Sequence, residues 1–541
     1  KGEPVHTFCI GDYCARAVEG ENGMGDLQKI FNPRTIAVIG ATESEGPFGR
    51  AILENVLAPA TRTIYPVNPN RETILGNPCW RDIGAIPEPI DLAVIATPAA
   101  TVPGIVDACG RAGVEGIIII SAGFRETGEV GRQLEEEILR INKAYGMRIV
   151  GPNCLGIMRP PVNLNATFLR ENPEKGNIAF VSDVGSFGRT LFDWGMSSHI
   201  GFSMVVSLGS AIDVDFGDVI DFLFEDPHTK SIILYMEDVV GDVKRFVSAV
   251  RCFARSKPII LLKPPILEDG DCAGLTHSGA MAGPEKVYDA LFRRLGVVRV
   301  REAQDLFNAA GVLFSRNRPR GPRLAIMTNA RGIGIIANKQ LLCAGGKMAE
   351  LSEQTIRDLD ALIPPCWNRG NPVHLLRDAD TARYAAAAEI CLKDPGVDGL
   401  LTIYTLQDFA PPEELAETLV GVASKTDKPL LTAWMGGREV QRGRERMVEK
   451  GIPAYETAEA AVRAHIYMTQ YERNLELLQE TPAELPQDEA PPKNHLKALL
   501  RRANREACSI LTEDDSRKFL RNYGIPVIPS RMAITLEDAL A

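Results

Sequence analysis

Residues 35–50 read TIAVIGATESEGPFGR. The first six form a short, almost wholly apolar run that passes straight into a turn holding Gly40, Gly46 and Gly49. A run this short and this apolar reads as a strand buried on both faces, and glycines directly after it let main-chain amides approach an anion at the start of a helix. The same kind of strand recurs outward along the chain in TIYPVN (63–68), LAVIAT (92–97), GIIIIS (116–121) and RIVG (148–151). Between the last two, Leu134, Ile138 and Ile141 stand at helical spacing. Buried strands alternating with amphipathic helices specify a parallel sheet covered on both faces, the doubly wound α/β class.

The glycine spacing is not GxGxxG, and no carboxylate clearly ends the second strand, where a dinucleotide ribose would be held. The turn therefore fits NAD poorly and fits another nucleotide, coenzyme A, at least as well; a turn that merely closes a βα unit is the plainer alternative. A CoA site is expected across Gly40, Thr42, Glu43, Ser44 and Glu45, the stretch from Asn68 to Arg71, and Ser121, Ala122 and Gly123 after a strand.

Two later stretches repeat each other. NIAFVSDVGSFG (177–188) and RLAIMTNARGIG (323–334) share a strand, Ser or Thr, Asp or Asn, a turn and a final glycine at matching positions. Each is followed by DP before a strand (226 and 394) and by KP before another (257 and 428). This order of landmarks implies two homologous α/β domains, over 159–318 and 319–472.

Composition narrows the function classes. At 541 residues the chain holds three or four domains, and a formal charge of −10 excludes a nucleic-acid partner that needs clustered Lys and Arg. No apolar run approaches the roughly eighteen residues of a membrane span. The eleven cysteines form no CxxC pair, so no metal site is expected, and reduced thiols in a cytoplasmic setting are the simplest reading. Residues 1–28 are an extension that carries no motif. The Pro-rich, acidic QETPAELPQDEAPPKNH (479–495) reads as a linker, and beyond it LTEDDSRKFLRNYGIPVIP starts a new element with Thr512 as helix N-cap and Gly524 as stop.

One decapeptide stands apart: GLTHSGAMAG (274–283) sets a histidine among small residues, as a loop that presents one side chain does. Taken in order, the glycine turn, GPNCLG (151–156), the strand and turn at 182–188, LYMED (234–238), THSGAMAG (276–283) and LTEDDSRKFLRNYGIPV resemble the NDP-forming acyl-CoA synthetases, relatives of succinyl-CoA synthetase. The resemblance spans about residues 30–541. It implies a Rossmann-like CoA-binding domain (29–158), two flavodoxin-like ligase domains (159–318 and 319–472), a linker (473–495) and the start of an ATP-grasp domain (496–541).

The resemblance also implies chemistry. Acyl-CoA and phosphate give acyl phosphate and free CoA, the phosphoryl group moves to a loop histidine, and ADP receives it. By position that histidine is His277, a nucleophile as the neutral ring near pH 7, and Glu237 is the carboxylate that holds its other ring nitrogen. Ser182, Gly185, Ser186 and Asn153 are expected around the phosphate. CoA and Mg-ATP or Mg-ADP are the implied cofactors, with the nucleotide site mostly outside this chain. An acyl-CoA or carboxylic acid, phosphate, an ATP-grasp domain or subunit, and further copies in a homo- or hetero-oligomer are the implied partners.

One departure matters. Relatives read Ser-Gln-Ser-Gly where this chain has Ser182, Asp183, Val184 and Gly185. A carboxylate about 4 Å from phosphate opposes binding by about 4 kcal/mol at an effective dielectric near 20, against roughly 0.3–1 kcal/mol from a helix N-terminus. Asp183 is therefore expected to turn away and cap the helix, or turnover is impaired. Arg331 in TNARG replaces one of a usual pair of glycines. The alternative reading is the CoA-binding, synthetase-like region of a protein lysine acetyltransferase, which tends to lose the histidine; a dehydrogenase ranks third.

Overall fold

The computed structural model describes residues 27–46, 48–197, 200–237, 239, 241–264, 285–313, 317–480, 493–505 and 511–528, with a few isolated positions beyond. The chain divides into two units, Lys1–Leu478 and Gln479–Ala541.

TIAVI forms β1 (Thr35–Ile39), followed by α1 (Phe48–Leu57), β2 (Thr63–Val67), β3 (Leu92–Ile95), α2 (Val102–Arg111), β4 (Gly116–Ile119), α3 (Glu129–Tyr145) and β5 (Arg148–Val150). All the pairings are parallel, in the order β2-β1-β3-β4-β5. Ile36, Val38, Leu92, Val94 and Ile118 are fully buried on one face and Ala37, Ala93, Ile95 and Ile117 on the other, which is what uninterrupted apolar strands require.

The second sheet comprises β6 (Gly156–Arg159), β7 (Leu164–Thr167), β8 (Lys175–Ser182), β9 (Phe202–Ser207), β10 (Ser231–Tyr235), β11 (Ile259–Leu262) and β12 (Val298–Val300). Around it lie α4 (Gly185–Ser197), α5 (Phe216–Glu225), α6 (Val243–Ala254), α7 (Glu285–Arg294) and α8 (Ala303–Leu313). The order is β12-β11-β10-β8-β9-β6-β7, parallel except where β6 meets β9 and β7.

The third sheet comprises β13 (Arg323–Thr328), β14 (Lys347–Met348), β15 (Val373–His374), β16 (Gly399–Thr405), β17 (Leu430–Met435) and β18 (Ala454–Tyr455). Its helices are α9 (Arg331–Cys343), α10 (Glu353–Leu362), α11 (Thr381–Lys393), α12 (Pro412–Ala423), α13 (Arg438–Glu449) and α14 (Ala458–Gln479). The order is β14-β13-β16-β17-β18, with β15 paired to the end of β13.

Apart from β6, β7 and the short β15, the strands of each sheet follow one pattern, the second strand outside the first and the third on its other side. The side on which successive strands are added therefore reverses between the first and third strands of each sheet. A crevice opens there at the carboxyl ends, and ligands of doubly wound folds bind in it.

Two expected boundaries move. The second sheet starts at Gly156, ahead of residue 159, because β6 and β7 pair onto β9 and place Ile157, Met158 and Ala166 in its core. The third domain does not end at 472, nor does a linker start at 473: α14 continues to Gln479. Asn474 and Leu478 are buried there, Asn474 Nδ2 donating to the Val297 carbonyl at 3.2 Å, and that burial keeps the segment helical.

The first two sheets are joined by charge as well as by packing. Buried Arg148 reaches Asp213 at 3.1 Å and Asp218 at 2.9 Å, and Arg245 also pairs with Asp218. In the second unit, α15 (Lys493–Arg505) precedes α16 (Glu513–Asn522), whose N-cap Thr512 accepts the Asp515 N–H at 3.2 Å and whose stop is Gly524 at φ +70°. Among the described residues no helix is long and apolar enough to cross a membrane, and no group of acidic, His and Cys side chains has the makings of a metal site.

Candidate active site

In the first sheet the crevice lies between β1 and β3. Gly40 sits there at φ +91°, and a Cβ on it would stand 2.6 Å from the Ala96 carbonyl oxygen, so only glycine lets the two strand ends approach. The start of α1 presses equally close, since a Cβ on Gly49 would lie 2.1 Å from the Gly40 oxygen. The expected CoA residues converge on this turn. Asn68 Nδ2 donates to the Ala41 carbonyl at 2.8 Å and its Oδ1 accepts from the Asn70 N–H at 3.0 Å, which fixes the loop that carries exposed Arg71. Thr42 Oγ1 accepts the Ser44 N–H at 3.2 Å, and Glu43 accepts the Leu75 N–H at 2.8 Å, so both hold the loop in shape. Glu45 is exposed and lies 3.9 Å from Arg50.

Ser121, Ala122 and Gly123 follow β4. The Ser121 carbonyl accepts the Asn153 N–H at 2.9 Å, and the Gly123 N–H donates to Glu126 Oε1 at 2.7 Å, a partner with no marker in the sequence. The loop around Asn153 is pinned from several sides. The Ser210 N–H donates to the Pro152 carbonyl at 2.9 Å, Ser207 Oγ accepts the Leu155 N–H at 3.0 Å, and a Cβ on Gly185 would meet Leu155 at 3.3 Å. The loop 152–155 therefore links the Ser121 turn to the start of α4.

In the second sheet the crevice lies between β8 and β10. Ser182 is buried and folds back on its own turn, its Oγ accepting the Val184 N–H and contacting the Val184 carbonyl, each at 3.0 Å. Asp183, also buried, accepts the main-chain N–H of Glu237 on Oδ2 at 2.9 Å. This bond is a lateral tie across the crevice, from the end of β8 to the second residue beyond β10. Tyr235, paired with Ser182 in the sheet, has its phenol pushed up to about 12 by burial first and then by the carboxylates of Glu237 and Asp183. Both acids therefore lie near the Tyr235 phenol. The side chain of Ser186 and the whole of His277 lie outside the described residues. The segment that carries His277 leaves after β11, whose Leu262 pairs with Tyr235, and returns at α7. β11 thus runs beside β10, the strand that leads to Glu237.

The third sheet repeats the device with different side chains. Thr328 Oγ1 accepts the Ala330 N–H at 3.0 Å, as Ser182 does for Val184. Asn329 stands where Asp183 stands; it accepts the Thr405 N–H at 3.1 Å and donates to the Thr405 carbonyl at 2.8 Å. Thr405 occupies the place of Glu237, so the frame is kept and the carboxylate is not. Asn329 was readable in the repeat, whereas Thr405 required the register of β13 on β16.

Comparison with known proteins accounts for this arrangement. The chain matches the CoA binding domain family over 34–160, the succinyl-CoA ligase like flavodoxin domain family over 175–313 and the Ligase-CoA domain family over 324–478. It is 36% identical over 453 residues to the acetate–CoA ligase [ADP-forming] II subunit alpha of Pyrococcus furiosus, which covers 83% of this chain and 98% of the relative. The chain belongs to the NDP-forming acyl-CoA synthetases. Another member, acetate–CoA ligase [ADP-forming] I of Archaeoglobus fulgidus, is 38% identical over 83% of this chain, which spans 64% of that longer protein. A solved structure described as Ca. Korarchaeum cryptofilum dinucleotide forming acetyl-coenzyme A synthetase 1, in complex with phosphate and ADP, superposes with a TM-score of 0.78 at 32% identity. The match covers 85% of this synthetase chain and all of that one. These relatives favour the synthetase over the acetyltransferase region and the dehydrogenase.

Proposed function

We propose that this chain is the CoA- and phosphate-handling part of an ADP-forming acyl-CoA synthetase that works through a phosphohistidine on His277. The observation that carries the reading is the Asp183–Glu237 tie at the second crevice, one strand away from the start of the His277 segment. CoA lies along the Gly40 turn, Asn68 to Arg71 and the Ser121 turn. A phosphate oxygen attacks the thioester carbonyl of acyl-CoA, the C–S bond breaks, and the thiolate takes a proton as CoA leaves. The resulting acyl phosphate is held by main-chain amides at the start of α4, with Ser182, Gly185, Ser186 and Asn153 around it.

A neutral nitrogen of His277 then attacks phosphorus, and the P–O bond to the acyl group breaks to release the carboxylate. Glu237 holds the proton on the other ring nitrogen, which fixes the tautomer and stabilises the cation that forms. ADP in an ATP-grasp partner takes the phosphoryl group as the P–N bond breaks, with Mg2+ on the nucleotide. Residues 496–541, which carry α16, are the start of that ATP-grasp domain. The relative named as a subunit alpha and the longer relatives both support a partner in this position. The cytoplasm and an oligomeric assembly complete the reading.

The test is phosphoenzyme formation. With its ATP-grasp partner, acetyl-CoA, Mg2+ and radiolabelled phosphate, the chain acquires acid-labile, base-stable label, and His277→Asn abolishes it. Label that persists in the Asn variant, or that sits on Ser278, overturns the mechanism.

A further inference from the structure

A cleft of about 1470 Å³, lined by no residue of the Gly40 turn, lies between the edge of the second sheet at β12 and the entry to the third at residues 318–322. Helix α14 and the end of α9 complete its walls. The proposed reaction uses none of it, yet its charge is unusual for a chain of net charge −10.

Most of its acids are already engaged. Arg463 takes Asp305 at 3.0 Å and Glu302 at 3.5 Å, Arg318 takes Glu472 at 3.1 Å, and Arg299 pairs with Asp289. Asp305 is buried and also accepts the Tyr467 hydroxyl at 2.7 Å, so the floor is closed, and its three arginines face four acids, one more negative charge than positive. Four exposed cations remain around the rim: Arg293, Arg301, Lys347 and Arg473. None of them has a carboxylate partner among the described residues, and Glu476 is the one lining acid left over. With Arg320 held by Asp427, the lining as a whole carries a surplus of two positive charges inside a concavity, where low-dielectric walls concentrate the field.

We infer that this cleft is an anion site for a compact phosphate-bearing ligand. Three of the four free rim cations are guanidinium forks that bind phosphate oxygens in pairs, and the surplus of positive charge matches a multiply charged anion. Inorganic polyphosphate and the phosphate tail of a nucleotide present the same chemistry.

The inference is independent of the phosphohistidine reading, and the chain alone suffices to test it. Calorimetry with inorganic tripolyphosphate at low salt gives saturable binding that weakens steeply as salt is raised. The double variant Arg301→Glu, Arg473→Glu weakens it by about tenfold or more, because both side chains are exposed and reversal leaves repulsion in their place. ADP and adenosine distinguish the sources: ADP binding that the double variant loses, with adenosine inert, assigns a nucleotide tail, while tripolyphosphate alone assigns a free polyphosphate. CoA affinity in the double variant stays as in the original chain. Absence of tripolyphosphate binding, or equal affinity in both proteins, overturns the site. Loss of CoA binding together with tripolyphosphate binding overturns it as well, since both would then share the Gly40 turn.

Discussion

Glu237 donates its main-chain N–H to Asp183 Oδ2 at 2.9 Å, so one acid of the second crevice holds the main chain of the other. The bond needs an acceptor and not a charge, because Asn329 serves Thr405 in the same way. Asp183→Asn should therefore label His277 at close to the original rate. Asp183→Ala leaves a half-buried donor without its partner, a cost of about 1–3 kcal/mol, and should slow labelling roughly tenfold with CoA affinity unchanged. Amide exchange at Glu237 should quicken in the Ala variant alone. An Asn variant as slow as Ala would show that the charge is what matters.

The same variant decides where the carboxylate points. If Asp183 faced bound phosphate at about 4 Å, its removal would raise phosphate affinity by something on the order of a thousandfold, from about 4 kcal/mol of repulsion. With Oδ2 turned to Glu237, equilibrium binding to Asp183→Asn should differ from the original chain by no more than a few-fold.

CoA binding should depend on a residue outside the expected set. A methyl on Gly49 would sit 2.1 Å from the Gly40 oxygen, so Gly49→Ala must push α1 away from the turn. Calorimetry should show CoA weakened about tenfold or more while tripolyphosphate binding at the cleft beside β12 is retained. Equal CoA affinity would move the site elsewhere.

His465, fully buried on α14, has its ring pulled down from 6.5 to about 4 by burial, with the Pro322 carbonyl and Asp398 opposing. The unfolded chain binds this proton below pH 6.5, whereas the folded chain resists it until about pH 4. Stability attributable to this group is therefore full above pH 6.5 and falls as pH drops toward 4, by roughly 3 kcal/mol. Denaturation followed against pH should show this slope flatten in His465→Leu.

Arg148 pairs with two acids that lie on the other side of a domain boundary. Arg148→Leu strands Asp213 in a largely buried position and should cost roughly 3–5 kcal/mol. Adding Asp213→Asn should recover part of the loss, which a double-mutant cycle on unfolding midpoints measures. Strict additivity would show that the pair is uncoupled.

The strands were legible because TIAVIG and its fellows are too short and too apolar for other uses, and the repeat was legible because Ser182 and Thr328 stand in matching frames. The crevice residues were nameable for the same reason, as strand ends next to glycine turns. What escaped notice depends on register and on distant partners. Nothing in QETPAELPQDEAPPKNH says that the preceding helix runs to Gln479; that follows from Leu478 finding a pocket beside Gly296. Nothing local to Asp183 names the Glu237 amide, which pairing of β8 with β10 brings within reach. The Arg148 network likewise joins residues that the chain keeps far apart.

The twin turns also make the molecule its own control. Where both copies agree, in the hydroxyl that folds back and the side chain that clasps the next strand, the fold is the beneficiary, since one copy keeps these features without the acid. Where they differ, at Glu237 and Thr405, the frame makes no demand for a carboxylate. An experimenter who grafts a carboxylate at 405 is thus working in a socket already milled, and one who varies 182 or 328 is filing at the hinge pins.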